Sequence, residues 1–493
     1  MKNFKNISIV ILLISFIGFS CDDEKFLEEA PFSQISTQNF FQTQTDFEQA
    51  VNGCYQSLQS IFQFNIPAME EMRSDNTTWQ NGPNNSLLAW WNLDEFTMDL
   101  GNGLVSGLWT DCYRAIGRCN TVIYYLKDLE IENKDRYLAE VKFLRAFYYH
   151  YLVGYFGDIP LVTTLINSYE AAFEQDKRVP QAEVYNLILS DLNEAKVNLP
   201  KSYSSADFGR VTEGAARTLL AKVLMRLGQY TEAAVELTTV INLNEYTILE
   251  DYASVFDINN EHNDEIIFSV QFIEGTYGLH SSFQYMFLPF QIPKTYLSGF
   301  NPVNNHCGNN LPTINLLNSF ENGDERKGMI DTTFTHKNGY YNGTIVPFTK
   351  KYMHPGHTVQ RQTAKDFLVF RYPHVLLMLA ECYVREGGGD PLPLINQVRT
   401  RAGLTELSSV TIHDIIHERR IEFHCEADRW GTLVRMHNEG DIDLFALMGA
   451  HGQEERLRTS ISDAAFTKLK LLYPIPISVI ILNPEVEQNP EYQ

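Results

Sequence analysis

The chain has 493 residues, 44% of them hydrophobic and 12% aromatic, enough for a large buried core and too apolar for a disordered protein. Its formal charge of -22 argues against a phosphate-backbone partner and leaves no basic face for an anionic membrane. Nucleic-acid binding is thereby excluded as a main role.

Lys2 and Lys5 precede an apolar run from Ile7 to Phe19, shorter than the ~20 residues a spanning helix needs, so residues 1–20 read as a signal peptide. Ser20 before Cys21 resembles the lipobox of bacterial lipoproteins, in which that cysteine becomes the acylated (palmitate-type) first residue, although Gly18 and Phe19 depart from the usual pattern. Asp22, Asp23 and Glu24 resemble a Bacteroidetes surface-export signal. Lipidation at Cys21 would fix a soluble body to a membrane; ordinary secretion with cleavage nearby is the alternative. The remaining six cysteines show no Cys-x-x-Cys spacing, and Cys112 and Cys119 lie about 10.5 Å apart along a helix, beyond disulfide reach.

Thr45-x-x-Glu48 predicts a capping box before a helix carrying Phe47, Val51, Leu58 and Ile61. Residues 64–103 then read as a long irregular loop rich in Asn, Gly and Trp. Leu108, Cys112, Ile116, Cys119, Ile123 and Leu126 restore a helical stripe. From Ala139 to Val162 aromatic and aliphatic residues arrive at nearly every turn and around most of the circumference, predicting a helix buried on several sides. Gly157 and Pro160 end it. Arg145 within it requires a carboxylate, for which Glu140 is the nearest local candidate at an imperfect spacing, so a partner from elsewhere in the fold is expected.

Val184 to Leu199 predicts another helix, ended by Pro200. Residues 211–241 contain a Leu-Gly-x-Tyr-x-x-Ala turn between two helical patterns, similar to a tetratricopeptide repeat, and residues 371–403 repeat the plan. Such hairpins stack because none buries its apolar face alone. Strand pattern is sparse, chiefly Glu265 to Phe272, and residues 274–365 form a second irregular region dense in Tyr, Phe, Asn, Gly, His and Pro.

The stretch FLRAFYYHYLVGYFGDIPLV, the helix ERRIEFHCEADRWGTLVR, Arg371-Tyr372 and the tail LYPIPISVIILNPEVEQNPEY closely resemble the signatures of the SusD/RagB family of outer-membrane nutrient-binding lipoproteins. Phe423, Ala427, Thr432 and Glu491 depart from the family pattern locally. The resemblance implies a mainly α fold, with tetratricopeptide-like hairpins in a right-handed superhelix, long irregular loops and minor β-hairpins. It also implies an N-terminal region (21–273) and a C-terminal region (274–493) packed as one body.

His413, His417 and His424 lack the third-ligand spacing of a zinc site, and a polar helix face explains them. Gly101-x-Gly103-x-x-x-Gly107 has no βαβ surroundings and reads as a helix-entry turn. No nucleophile elbow, phosphate loop, metal or cofactor motif is present in the sequence. A carboxylate pair among 61 acidic residues stays open.

Arg73, Asp75, Asn76, Trp79, Trp90 and Trp91 place three of the five tryptophans in a polar, glycine-bearing loop. Indole rings stack on the C–H faces of sugars, and planar Arg, Asp and Asn groups match equatorial hydroxyls, so this loop reads as an oligosaccharide platform. Tyr285 and Tyr296 of the second aromatic region are expected opposite it. Two functions compete. One is a non-catalytic glycan-binding lipoprotein of the outer-membrane surface that, as the resemblance implies, delivers its ligand to a SusC-like TonB-dependent transporter. The other is a secreted α-helical glycoside hydrolase using a carboxylate pair. The near full-length resemblance to a binding family favours the first. Starch, host glycan, plant polysaccharide or peptide all suit the residues.

Overall fold

The structure, a computed structural model, describes residues 40–79, 88–168, 172, 175–275, 279–292, 307–335, 343–359, 361–454 and 470–493. The expected signal peptide, Cys21 with its acidic run, and Tyr296 lie outside the described residues. The chain falls into two units, residues 1–49 and 50–493. In the first, the rings of Phe40 and Phe41 meet edge-on at 5.0 Å. Helix α1 (Gln44–Ser60) starts there with a reciprocal cap, Thr43 N–H donating to Asp46 at 2.7 Å and Asp46 N–H to Thr43 Oγ1 at 3.3 Å. The cap therefore sits two residues before the expected Thr45 and Glu48.

In the second unit, α1 runs on into two wide helical turns, Ile61–Asn65 and Ala68–Met72, the first continuing the predicted helix and the second lying where the sequence predicts irregular loop. Pro67 has no N–H to give, and the turn loosens around it, Ile66 N–H reaching back five residues to Ile61. Short α2 (Leu88–Asp94) leads to α3 (Gly103–Leu126). Asn102 caps α3 by accepting from Leu104 and Val105, which accounts for the glycine cluster as a helix entry.

Helix α4 (Lys134–Phe156) is the hub, with most of its side chains buried. Phe147 stacks with Phe62 and with Phe143 of the same helix at 5.9 Å and meets Phe268 edge-on at the same distance, so its face of α4 is packed by distant segments of the chain. Gly157, at φ 74°, takes a conformation denied to most residues with a Cβ and stops the helix. Arg145 finds its partner on α5 (Gln181–Asn198), where Asp191 receives Nε at 2.7 Å and Nη2 at 2.8 Å. Glu140 instead pairs with Arg210 at 2.9 Å.

Helices α6 (Glu213–Arg226) and α7 (Tyr230–Asn242) form a hairpin around Gly228. After short α8 (Phe283–Phe287) and α9 (Ile314–Ser319), a second hairpin follows in α10 (Tyr372–Glu386) and α11 (Leu392–Arg401). Helices α12 (Ile412–Glu422), α13 (Arg429–Asn438), α14 (Leu444–Glu454) and α15 (Ile477–Leu482) complete the series. Packing follows chain order, α3 on α4, α4 on α5, α5 on α6, α6 on α7 and α7 on α10. The fold is mainly α.

The described strands form two-stranded antiparallel pairs between distant segments. They are β1 (Thr77–Thr78) with β5 (Leu311–Pro312), β2 (Ile159–Pro160) with β3 (Arg178–Val179), β4 (Ile266–Val270) with β8 (Phe367–Arg371), and β6 (Ile330–Asp331) with β7 (Phe348–Thr349). The β4–β8 pair crosses the 273/274 boundary and brings Arg371 beside Glu265, 2.5 Å apart. Arg371 also holds Glu422 at 2.9 Å and Glu426 at 2.8 Å, while Arg401 takes Glu422 at 2.6 Å. Burial alone would raise Glu422, but the guanidiniums of Arg401, Arg371 and Arg326 outweigh it and hold the carboxyl well below the usual range.

Candidate functional site

The first tryptophan loop is tied to the second aromatic region by β1 and β5, in register Thr77 to Pro312 and Thr78 to Leu311. Thr313 reinforces the seam, its N–H donating to Asn76 O at 2.9 Å and its hydroxyl to Asp75 O at 3.0 Å. Trp79 is fully buried below this seam, and its indole N–H donates to Cys307 O at 3.0 Å. Asp94 receives the Thr78 hydroxyl at 3.0 Å and the Trp79 backbone N–H at 3.3 Å, fixing α2 against the strand. Trp91, on α2, lies half-buried with its ring edge-on to Trp79 at 5.9 Å. Cys307 N–H in turn donates to Tyr285 O at 3.1 Å.

Trp91, Trp79, Cys307 and Tyr285 are therefore linked by direct contacts. The exposed side chain of Arg361 completes the cluster, its guanidinium 4.3 Å from the centre of the half-buried Tyr285 ring. Arg361 has φ 62°, a left-handed conformation rare outside glycine, in a loop anchored by the bond from the Ser282 hydroxyl to Arg361 O at 3.1 Å. Burial and the neighbouring Cys307 thiol push the Tyr285 phenol up to about 12, and burial raises the Cys307 thiol. Both stay neutral near pH 7, so the cluster offers rings, hydrogen-bond groups and one fixed cation.

Five of the predicted platform residues are buried in the protein. Arg73 is fully buried in an aromatic cage, 4.9 Å from the Phe96 and Trp430 rings and 4.4 Å from Tyr473, with Nη2 donating to Lys470 O. Asp75 is clamped by Arg429 at 2.8 Å and Arg420 at 3.1 Å. Asn76 accepts from Arg420 at 2.9 Å and donates to Glu71 at 3.3 Å. These planar groups are satisfied by other protein groups instead of sugar hydroxyls, because a buried polar or charged group is tolerable only when it finds partners. Trp79 is a floor beneath Trp91, and Trp90 is 5% exposed and likewise core. Of the described members of the predicted set, Trp91 and Tyr285 are half-buried, and Arg361 beside Tyr285 was not among the residues the sequence pointed to. Its only cue was being one of two arginines, with Arg326, within the second aromatic region.

A profile described as "Starch-binding associating with outer membrane" matches residues 25–225, and one described as "SusD family" matches residues 317–492. The chain belongs to the SusD/RagB family. Among its SusD/RagB relatives, SusD-like protein P2 of Formosa agariphila is 27% identical, the match covering 88% of this chain and 91% of that protein. Surface glycan-binding protein A of Bacteroides uniformis superposes with TM-score 0.79 at 24% identity, over 92% of this chain and all of the other. The protein of that name from Bacteroides thetaiotaomicron, in complex with laminarihexaose, superposes with TM-score 0.75 at 22% identity, over 91% of this chain and all of the other.

The signatures shared with the SusD/RagB family have structural roles here. Asn489 of the tail donates to Phe156 O at 3.0 Å and to Tyr473 O at 2.8 Å, and Tyr473 N–H donates to Tyr155 O at 2.8 Å. The C-terminus is thus docked on the end of α4. His424 is fully buried with Nδ1 2.7 Å from Ile421 O, and the described residues contain no cluster of His, Cys, Asp and Glu able to hold a metal ion.

Proposed function

We propose that the chain is a surface lipoprotein that binds an oligosaccharide at the Trp91–Tyr285–Arg361 cluster and hands it to a SusC-like TonB-dependent transporter. The observation that carries the ligand half is the convergence of the two aromatic regions through β1–β5, which leaves a half-buried indole and a phenol capped by a guanidinium. Stacking rings and fixed donors suit the C–H faces and hydroxyls of a sugar. The starch-binding family description and the laminarihexaose complex of a structural neighbour support the glycan class. Delivery to a transporter and the outer-membrane address rest on the family resemblance. No helix among the described residues is long and apolar enough to cross a membrane, which accords with anchoring at Cys21.

Binding is favoured over hydrolysis by the state of the local carboxylate. Asp94 is buried and accepts from Thr78 and Trp79, whereas glycoside hydrolysis needs two carboxyl groups flanking the scissile bond. Calorimetry with neutral oligosaccharides is expected to give millimolar to micromolar binding, about -4 to -8 kcal/mol, with no reducing ends released. Release of reducing ends by the purified protein would replace this reading with the hydrolase.

A further inference from the structure

We propose that this protein carries a second, auxiliary contact for a neutral sugar unit, in a cleft between the 201–212 loop, the segment after α7 and strand β4. The inference rests on the glycan-binding reading above. The cleft has a volume of about 180 Å³ and shares no residue with the Trp91–Tyr285–Arg361 cluster. Phe208 on its rim is 48% exposed and stands edge-on to the exposed ring of His262 with centroids 4.2 Å apart. Tyr203 lines the same cleft, and its hydroxyl is buried without a hydrogen-bond partner. That donor is unmet in the free protein, and a small turn of the Tyr203 ring would bring it to a ligand oxygen. Tyr246 forms a further wall, fixed by the 2.8 Å contact between its hydroxyl and Thr212 Oγ1.

The polar groups select the ligand class. Glu245 and Asp264 line the cleft, and neither enters a salt bridge among the described residues. The nearby Arg210 is committed to Glu140 and Asp207, both at 2.9 Å. Lys201 also lines the cleft, so its charged groups are of both signs, and Glu245 and Asp264 offer acceptors to hydroxyl donors. A stacking ring, a phenol and carboxylate acceptors in one recess are the groups a neutral pyranose uses. The volume lies below the roughly 300–1,000 Å³ of pockets for drug-sized ligands, so the cleft takes one ring-sized unit of a longer chain.

Its walls are held in place before any ligand arrives. Gly209 has φ 87°, and a Cβ there would come within 2.5 Å of Gln271 Cγ, so the loop bearing Phe208 is pressed onto the chain just beyond β4. A Cβ on Gly214 would meet the Tyr246 hydroxyl at 2.5 Å. Little ordering is therefore required on binding.

The test uses the folded chain with maltohexaose, laminarihexaose and cellohexaose as probes, following the His262 imidazole by NMR alongside calorimetry. We expect a probe that binds to shift the His262 resonances in the wild type and in Trp91→Ala. Phe208→Ala should weaken the response at His262 roughly 5- to 30-fold while leaving the Trp91-dependent binding intact. Tyr203→Phe, which keeps the ring, should weaken it less than Phe208→Ala. Binding of a probe without any His262 shift, or a His262 shift unchanged by Phe208→Ala, overturns the second contact and leaves the first site standing. Failure of all three probes to bind the wild type removes the support for both.

Discussion

Asp75 and Arg429 stand 354 positions apart in sequence and meet in a two-pronged ion pair at 2.8 and 3.0 Å, both buried. Arg420 adds a third contact to the same carboxylate at 3.1 Å. Removing the carboxylate would strand two guanidiniums in a dry environment. Asp75→Ala is expected to destabilise the fold by about 3–5 kcal/mol, the range for breaking a buried pair from one side. Denaturant unfolding measures this, and a fully stable variant with lost glycan affinity would return Asp75 to the ligand face.

The two tryptophans in contact should behave oppositely. Trp79→Ala empties a fully buried site and is expected to cost about 3–5 kcal/mol of stability. Trp91→Ala should leave the helical body folded and weaken glycan binding roughly 5- to 30-fold, about 1–2 kcal/mol. Calorimetry paired with circular dichroism separates the two outcomes. Wild-type affinity in Trp91→Ala would show that this ring is structural as well.

Glu71 makes the stability pH-dependent. Burial, only partly offset by the Asn76 side chain and the Asp428 N–H, pushes its carboxyl up from 4.5 to about 8. The folded state therefore holds a proton that the unfolded chain releases. The resulting stabilisation is complete below about pH 4.5, declines as pH rises, and is lost through about pH 8. Glu71→Gln keeps acceptors for Ala427 N–H, bonded at 2.9 Å in the wild type, and cannot ionise. Unfolding free energies at pH 5 and pH 8 should diverge more in the wild type than in this variant, by roughly 1 kcal/mol per pH unit. Equal pH slopes in the two proteins would refute the assignment.

Cys21→Ala tests the anchor. Expressed in the native host without its transporter, the variant should leave the outer-membrane fraction, because acyl chains on Cys21 are the proposed anchor and no helix among the described residues is long and apolar enough to cross a membrane. Full retention would rule out lipidation at this residue.

Local pattern was sufficient for the helical body. The aromatic run ending at Gly157 specified a helix buried on several sides, since its apolar residues cover the circumference and glycine alone relieves the strain at φ 74°. The family was likewise legible, its signatures being contiguous segments that keep their spacing in one chain. Pairing across long separations was not. Asp191 for Arg145, Arg429 for Asp75 and β8 for β4 join segments whose partners no local period can name. The site divided along the same line. Composition drew attention to both aromatic regions, but whether a loop tryptophan meets solvent or core depends on which side of β1–β5 it emerges. Tertiary packing put Trp79 underneath and Trp91 on top, and it enclosed Arg73, Asp75 and Asn76, because each found partners inside that compensate the cost of leaving water.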